Sequence, residues 1–198
     1  GFKRDKTMIR TFVFVASISL ISMGFFLDDQ SPVIWRGPIV MSIVRQFLRD
    51  VVWENVDYLV IDLPPGTGDV ALTLTQEVNV DLGVIVTTPQ DVALLDVRRG
   101  IGMFNQVKVP ILGIVENMSV YQCPACGKKE EIFGRGAAEK TGLTVLGTVP
   151  LVEELRAGGD KGRPLITTAP EHLVAQEFFR IARSVVEAPE MQLSPVVH

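Results

Sequence analysis

The two cysteines of the chain, Cys123 and Cys126, are separated by two residues in the sequence CPAC. Two thiolates at this spacing can occupy adjacent corners of a tetrahedral metal site, but a closed zinc site or an iron–sulfur cluster needs four ligands. The two histidines, His172 and His198, lie far away in sequence and have no ligand spacing. The chain therefore supplies half of a site, and two copies related by a two-fold axis would complete it. We expect a homodimer formed through this loop.

Two alternatives to a shared metal site stay open for the CPAC loop. A thioredoxin-like dithiol requires the cysteine pair at a helix N-terminus, where the helix dipole lowers a thiol pKa. The residues that follow, GKKEE at 127–131, are typical of a turn, which disfavours the dithiol. The second alternative is a monomeric remnant that holds no metal.

A carboxylate and two glycines follow an apolar run in DLPPGTGD, residues 62–69. Asp62 at the end of a strand could hold Mg²⁺ through water, because Mg²⁺ prefers one or two carboxylates together with phosphate oxygens. Gly66 and Gly68 would let backbone N–H groups approach a γ-phosphate. The plainer alternative is a strand and a turn, with Asp69 capping a helix. The Gly-Lys-Ser/Thr phosphate loop that normally accompanies this motif is absent from the first 56 residues.

An asparagine ends a later apolar run, in ENMS at residues 116–119. The amide of Asn117 can donate and accept hydrogen bonds at once, which is what pairing with a purine edge requires. The alternative is a turn residue that caps a strand. A similar polar segment, TTPQD at 87–91, ends the run before it.

Strands and helices must alternate to position these residues. Apolar runs of strand length occupy residues 17–23, 57–63, 82–88, 111–117 and 143–149, the last stopped by Pro150. Apolar residues recur with helical spacing in three segments. These are residues 37–50, a segment that begins with Asp91 as its N-cap, and residues 171–188. This alternation predicts an α/β fold, a doubly wound and mostly parallel sheet with helices on both faces.

The carboxyl ends of parallel strands form one edge of a sheet, where open α/β folds bind ligands. We therefore expect Asp62, Thr88 and Asn117 at the same edge. The cysteine-bearing insert, residues 121–136, should leave from that edge as well.

Composition and charge exclude two classes of partner. The net charge is −4 and no large Lys/Arg cluster occurs, which gives no support to nucleic-acid binding. The apolar run at residues 11–26 is shorter than the roughly 20 residues that span a bilayer, and no A-x-A cleavage site follows it. We interpret it as a buried strand, with a signal or anchor, or non-native sequence, as the alternatives. We expect no membrane association and a cytoplasmic protein.

Several blocks of the sequence resemble one family. These blocks are SMGFF, WRGP, DYLVIDLPPGTGDVALT, TTPQDVALLD, ILGIVENMS, CPACG and IFGRGAAEK. In this order, from about residue 22 to about residue 170, they are similar to the Mrp/ApbC family of P-loop ATPases, iron–sulfur cluster carriers related to the MinD/ParA group.

The resemblance implies a role for each site residue. Asp62 would be the Walker B aspartate and Gly66 part of the switch loop beside the γ-phosphate, while Asn117 and Pro150 would contact the adenine. Cys123 and Cys126 would bridge a [4Fe–4S] cluster between two subunits, and zinc could take its place. The implied activity is slow, ATP-timed transfer of clusters to apoproteins.

The departures from the family change the expectation for this chain. The family's K-G-G-V-G-K-S/T loop and its D-A-D strand are absent, so we expect the missing half to lie upstream and ATP binding to be weak or absent. Residues 1–16 do not resemble the family; residues 17–188 form the family-like domain, and residues 189–198 should be a flexible tail. Because the family's first strand lies near the centre of the sheet, its loss should expose apolar surface, covered by oligomerisation or by re-pairing of the N-terminal segment.

Two other functions remain as alternatives. One is a non-enzymatic dimeric module that keeps the metal-binding cysteines and has lost ATP binding. The other is a MinD/ParA-like positioning ATPase, which requires a basic amphipathic C-terminal helix that the ending EMQLSPVVH does not offer.

Overall fold

The computed structural model describes residues 18–26, 37–53, 56–63, 68–123 and 125–193. They belong to two compact units, an N-terminal unit (Gly1–Asn79) and a C-terminal unit (Val80–His198). The described helices are α1 (Gly37–Arg49), α2 (Gly68–Glu77), α3 (Asp91–Gln106), α4 (Ala137–Thr141), α5 (Glu153–Asp160), α6 (Leu165–Thr168), α7 (Leu173–Val186) and α8 (Pro189–Leu193), with a short 3-10 helix at Met23–Phe26. The described strands are β1 (Gly83–Thr87), β2 (Ile111–Gln122), β3 (Lys129–Glu130) and β4 (Val145–Leu151).

Helices dominate the described part of the N-terminal unit. Helix α1 forms over the stretch whose apolar spacing predicted it, and it packs against α2. Glu77 at the end of α2 accepts from Arg45 Nε at 3.0 Å and from Arg49 Nε at 2.7 Å, which ties the two helices together. Both arginine hydrogen bonds act against desolvation of the Glu77 carboxyl and hold its pKa below the ordinary value.

Two strand predictions in this unit are wrong. Residues 57–63 are not a strand, and Tyr58, Leu59 and Val60 are exposed, Val60 to 90%. Residues 18–22 contain a single bridge residue, Ile18, before the 3-10 helix begins. A strand can satisfy its backbone N–H and C=O groups only on a neighbouring strand, and no described residue pairs with 57–63.

An open, mostly parallel sheet forms the centre of the C-terminal unit. Strand β1 pairs in parallel with β2, and β2 pairs in parallel with β4, while the short β3 is antiparallel to β2. The strands predicted at 82–88 and 111–117 are confirmed, and β2 extends five residues further, to Gln122. The predicted class, an α/β fold with a mostly parallel sheet, is confirmed.

Neighbouring residues of β2 point to opposite faces of this sheet and present apolar side chains on both. Helices pack against each face. Ile114 packs with Leu94 and Val97 of α3 on one face. Val115 packs with Leu165 of α6 and Val174 of α7 on the other face. Among the described residues of this unit, buried side chains thus form one apolar cluster on each face of the sheet.

Glycine allows close approach at one point of this packing. A Cβ atom at Gly113 would lie 2.4 Å from the backbone oxygen of Thr144, in the segment that leads into β4. The pairing of β2 with β4 therefore requires a residue without a side chain at position 113.

Two boundaries in the C-terminal unit differ from those expected. Helix α3 has Gln90 as N-cap, so Asp91 is its first helical residue. Lys140 Nζ donates to Asp91 Oδ1 at 2.7 Å, and this hydrogen bond lowers the Asp91 pKa. Strand β4 continues through Pro150 to Leu151. Pro150 does not stop the strand because it lies where the ladder with β2 is interrupted, so its missing N–H costs no ladder bond.

The chain end also holds more helix than expected. Residues 189–193 of the expected tail form α8, and residues 194–198 lie outside the described residues.

Candidate functional site

The cysteines lie in the turn of a β-hairpin. At its base Tyr121 pairs with Glu130 and Gln122 with Lys129. The Cys123 N–H donates to the Lys128 carbonyl at 2.9 Å, and the Gly127 N–H donates to the Cys123 carbonyl at 2.8 Å. Gly127 adopts φ of 72°, a left-handed conformation that favours glycine. The turn lies at Ala125 and Cys126, inside CPAC, and the prediction of a turn over residues 127–131 is wrong because Lys129 and Glu130 form β3. The cysteine pair is not at a helix N-terminus.

Backbone N–H groups of the turn point at the first cysteine sulfur. The N–H of Cys126, then that of Ala125, and the Cys126 side chain lower the pKa of the Cys123 thiol, against desolvation and the Glu130 carboxylate. Cys123 is half-buried and Cys126 is exposed. Because the thiolate is the form that binds soft metals, a lowered pKa at Cys123 favours metal binding.

The cysteine pair fits half of a tetrahedral site. Among the described residues no group of three or more His, Cys, Asp or Glu side chains could hold a metal ion. Two thiolates suit zinc or an iron–sulfur cluster, and either would need two further ligands.

Asn117 and Thr88 follow the paired ends of two parallel strands. Thr87 of β1 is in register with Glu116 of β2, so the next residues lie at the same edge of the sheet. Both are half-buried. The expectation that Thr88 and Asn117 share an edge is confirmed. For Asp62 it stays a prediction.

Asp62 itself is exposed and lies in the segment 56–63, which is not a strand. Gly68 begins α2. Gly66 lies outside the described residues.

Pro150 lies beside Asn117 in the sheet. Asn117 is in register with Val149, and Tyr121 is in register with Leu151, which places Pro150 across from the irregular stretch of β2 between them. Ser119 Oγ donates to the Val149 carbonyl at 3.3 Å and ties this stretch to β4. The structure therefore brings together Asn117 and Pro150, the two residues that the family resemblance assigns to adenine.

An apolar cavity of about 280 Å³ opens next to Asn117. Asn117 is the only polar residue that lines it among the described residues, and side chains of α5, α7 and the three parallel strands form its walls. These residues are Val84, Val86, Val115, Val149, Leu155, Phe178 and Ile181. The cavity was not anticipated from the sequence, since the valines were expected to be buried in a sheet.

Two further residues of β2 were missed. Glu116 is buried, and its Oε1 accepts from the N–H of Ala138 at 3.0 Å, which anchors the start of α4 to the sheet. Met118 has φ of 54° although it is not glycine, and its N–H donates to Asn117 Oδ1 at 2.9 Å. A charged residue inside an apolar run was the available signal for Glu116, whereas nothing in the sequence indicates the conformation of Met118.

None of the helices in the described part of the chain has the length and apolar character needed to cross a membrane.

Comparison with known proteins decides the family. A model of the ParA family described as "NUBPL iron-transfer P-loop NTPase" matches residues 3–186. The chain belongs to this family. The match confirms the resemblance to iron–sulfur carriers of the P-loop class, and it includes most of the segment 1–16 that shows none of the family's motifs.

Curated relatives of this NUBPL-family chain are named iron–sulfur cluster carrier or transfer proteins. The iron–sulfur cluster carrier protein of Haemophilus influenzae is 48% identical over 172 residues, which make up 85% of this chain and 46% of the relative. The iron–sulfur cluster transfer protein NUBPL of Mus musculus is 46% identical over 173 residues, 85% of this chain and 54% of the relative. The chain spans about half the length of the curated relatives it matches.

Solved structures agree with the fold of the NUBPL family. An ADP-bound nucleotide-binding protein from Archaeoglobus fulgidus is 34% identical with a TM-score of 0.55, over 80% of this chain and 59% of that protein. The septum site-determining protein MinD of Pyrococcus horikoshii, solved with Mg-ADP, has a TM-score of 0.57 at 20% identity, over 77% of this chain and 57% of that protein. The MinD similarity shows the fold alone.

Proposed function

We propose that this chain binds an iron–sulfur cluster through Cys123 and Cys126 and passes it to apoproteins. The observation that carries the proposal is the hairpin turn, which holds both thiols in one loop and lowers the pKa of the Cys123 thiol. The cluster is the cargo. Release then needs ligand exchange, in which client thiolates replace the cysteines of the hairpin. The names of the curated relatives, carrier and transfer proteins, support this role.

A second copy of the chain completes the site in this proposal. The cysteine pair provides two ligands, and the described residues offer no third His, Cys, Asp or Glu ligand. Two hairpins meeting about a two-fold axis supply four thiolates, the ligand set of a [4Fe–4S] cluster. Zinc fits the same four sulfurs, so protein handled in air would carry zinc or free thiols. The thiols stay reduced in a reducing compartment, which is why we place the chain in the cytoplasm.

Nucleotide binding has less support from this chain than metal binding. Asn117 and Pro150 lie together at one edge of the sheet and can serve the adenine of ATP, while Asp62 would hold Mg²⁺ through water and Gly66 would approach the γ-phosphate. No Gly-Lys-Ser/Thr sequence occurs in the 198 residues to cradle the phosphates. The two thiols of the hairpin can bind metal without nucleotide, which supports a second candidate function, a dimeric metal-binding module without ATP chemistry.

Anaerobic reconstitution with iron and sulfide, followed by size-exclusion chromatography and absorption spectroscopy, tests the carrier function. The expected result is about one cluster per two chains together with a shift from monomer to dimer. Cys123→Ser and Cys126→Ser should each abolish the cluster. Ala125→Ser is the matched control, because it lies between the cysteines, is exposed and leaves both thiols in place.

Two outcomes would contradict the proposal. A cluster held by a strictly monomeric species refutes the shared site, and a cluster retained in either cysteine variant removes the hairpin from the chemistry. Calorimetric titration with Mg-ATP separates the two candidate functions. Micromolar binding that disappears in Asp62→Ala would favour the ATPase, and no measurable binding would favour the metal-binding module.

A further inference from the structure

The strand that carries Asn117 is irregular just before it reaches the cysteines. Between its pairings with Val149 and Leu151 of β4, strand β2 advances from Asn117 to Tyr121. Four steps on β2 therefore match two steps on β4, so β2 bulges here. A bulge bends its strand and increases the local twist.

Met118 forms the strained part of this bulge. Its φ of 54° lies in the left-handed region, which L-residues other than Gly, Asn and Asp seldom adopt. The Met118 N–H donates to Asn117 Oδ1 at 2.9 Å, and Ser119 Oγ donates to the Val149 carbonyl at 3.3 Å. The neighbouring side chains thus hold a backbone conformation that Met118 would not adopt by itself.

The cysteine hairpin begins directly after the bulge. Beyond it, β2 continues as Tyr121 and Gln122, which pair with β3, and Cys123 follows directly. The Met118 side chain is 37% exposed, so its contribution lies in the backbone rather than in packing. A metal site shared about a two-fold axis needs both hairpins aimed at the axis within narrow limits.

We propose that Met118, clamped in a left-handed conformation by Asn117, is a positioning residue that aims the Cys123–Cys126 hairpin at the partner subunit. The inference rests on the shared metal site proposed above. It adds a function for Asn117 that does not require nucleotide.

Three substitutions at position 118 separate positioning from folding. Asparagine adopts the left-handed region readily and should preserve the bulge. Glycine also adopts it but is equally free to leave it, so Met118→Gly should relieve strain and loosen the hairpin. Valine is β-branched and strongly disfavours positive φ, so Met118→Val should force the bulge into another geometry.

The first measurement is cobalt(II) titration of the full chain under reducing, anaerobic conditions, followed by thiolate-to-cobalt absorption. Met118→Asn should bind as the parent chain does, and Met118→Val should bind about tenfold more weakly. Met118→Gly should bind more weakly while its melting temperature stays equal or rises. A purely structural role would make affinity follow melting temperature in all three variants, and that result, or equal affinity throughout, overturns the proposal.

The second measurement needs no metal. Amide hydrogen exchange of residues 119–122 should rise about tenfold in Met118→Val, and in Asn117→Ala, while exchange of residues 112–116 stays unchanged. Unchanged exchange at residues 119–122 in both variants overturns the positioning role. Failure of the parent chain to bind cobalt, with the exchange result as expected, counts against the shared metal site and leaves the bulge assignment supported.

Discussion

Two segments of this chain look alike in sequence and differ in structure. Residues 57–63, DYLVIDL, lie in the N-terminal unit, and residues 82–88, LGVIVTT, lie in the C-terminal unit. In the first, Val60 is 90% exposed, whereas in the second Ile85 is 8% exposed inside β1. The difference is the neighbour: β1 pairs with β2, and no described residue pairs with 57–63. An apolar run is thus necessary for a buried strand but not sufficient.

A helix does not need a paired neighbour, because it satisfies its backbone N–H and C=O groups internally. Helix α1 forms over the predicted residues in the N-terminal unit and packs against α2, where Glu77 bridges two arginines. The contrast between the two units is therefore a contrast between local and non-local hydrogen bonding.

The largest expected effect comes from breaking the strand pairing that distinguishes the C-terminal unit. Gly113→Ala places a Cβ atom 2.4 Å from the Thr144 carbonyl oxygen, so β2 and β4 must separate. We expect a loss of about 3 kcal/mol in the free energy of unfolding. Urea denaturation followed by circular dichroism measures it.

The matched control for this change is Gly102→Ala on α3, where an added Cβ meets nothing within 4 Å. Alanine favours the helix there, so the variant should gain up to about 1 kcal/mol. Equal losses in both variants would mean that close strand approach is not what stabilises the sheet.

A smaller effect compares the same substitution in the two units. Val115→Ala removes two buried methyl groups from the cluster between β2, α6 and α7, where Val115 is 6% exposed. It should cost about 2 kcal/mol, while Val60→Ala should cost less than about 0.5 kcal/mol because that side chain is already in water. Denaturant unfolding of both variants is the measurement. A cost at Val60 similar to that at Val115 would show that residues 57–63 are buried in solution and that the two segments do not differ in burial.

The smallest effect concerns the edge of the sheet in the C-terminal unit. Glu177 of α7 accepts from the Thr148 N–H of β4 at 2.7 Å, and Arg180 donates to the same carboxylate. The Arg180 hydrogen bond is the main cause that lowers the Glu177 pKa, and Arg180 has its own pKa raised in return. Glu177→Gln should therefore cost about 1 kcal/mol at neutral pH.

This loss depends on pH in a defined direction. Because the folded pKa of Glu177 lies below the ordinary value of 4.5, its contribution is present above that value and disappears as the pH falls through the folded pKa. Parent and Glu177→Gln chains should then differ in melting temperature at neutral pH and converge in acid. Glu171→Gln, an exposed carboxylate just before the same helix, serves as control and should change nothing at either pH. A difference that persists unchanged in acid would exclude the carboxylate charge as its source.

The sequence by itself indicated the family and the alternation of strands and helices in the C-terminal unit, and it predicted half of a metal site at the cysteine pair. Helical spacing predicted α1 and α7 because the hydrogen bonds of a helix are local. The cysteine pair indicated half of a metal site because a closed zinc site or an iron–sulfur cluster needs four ligands. Which apolar runs became strands depended on the tertiary fold, since a strand ladder needs a partner far away in sequence. The tertiary fold alone allowed β4 to pass through Pro150 and placed Met118 in a left-handed bulge. Both features arise from the mismatch in register between β2 and β4, which no local pattern encodes.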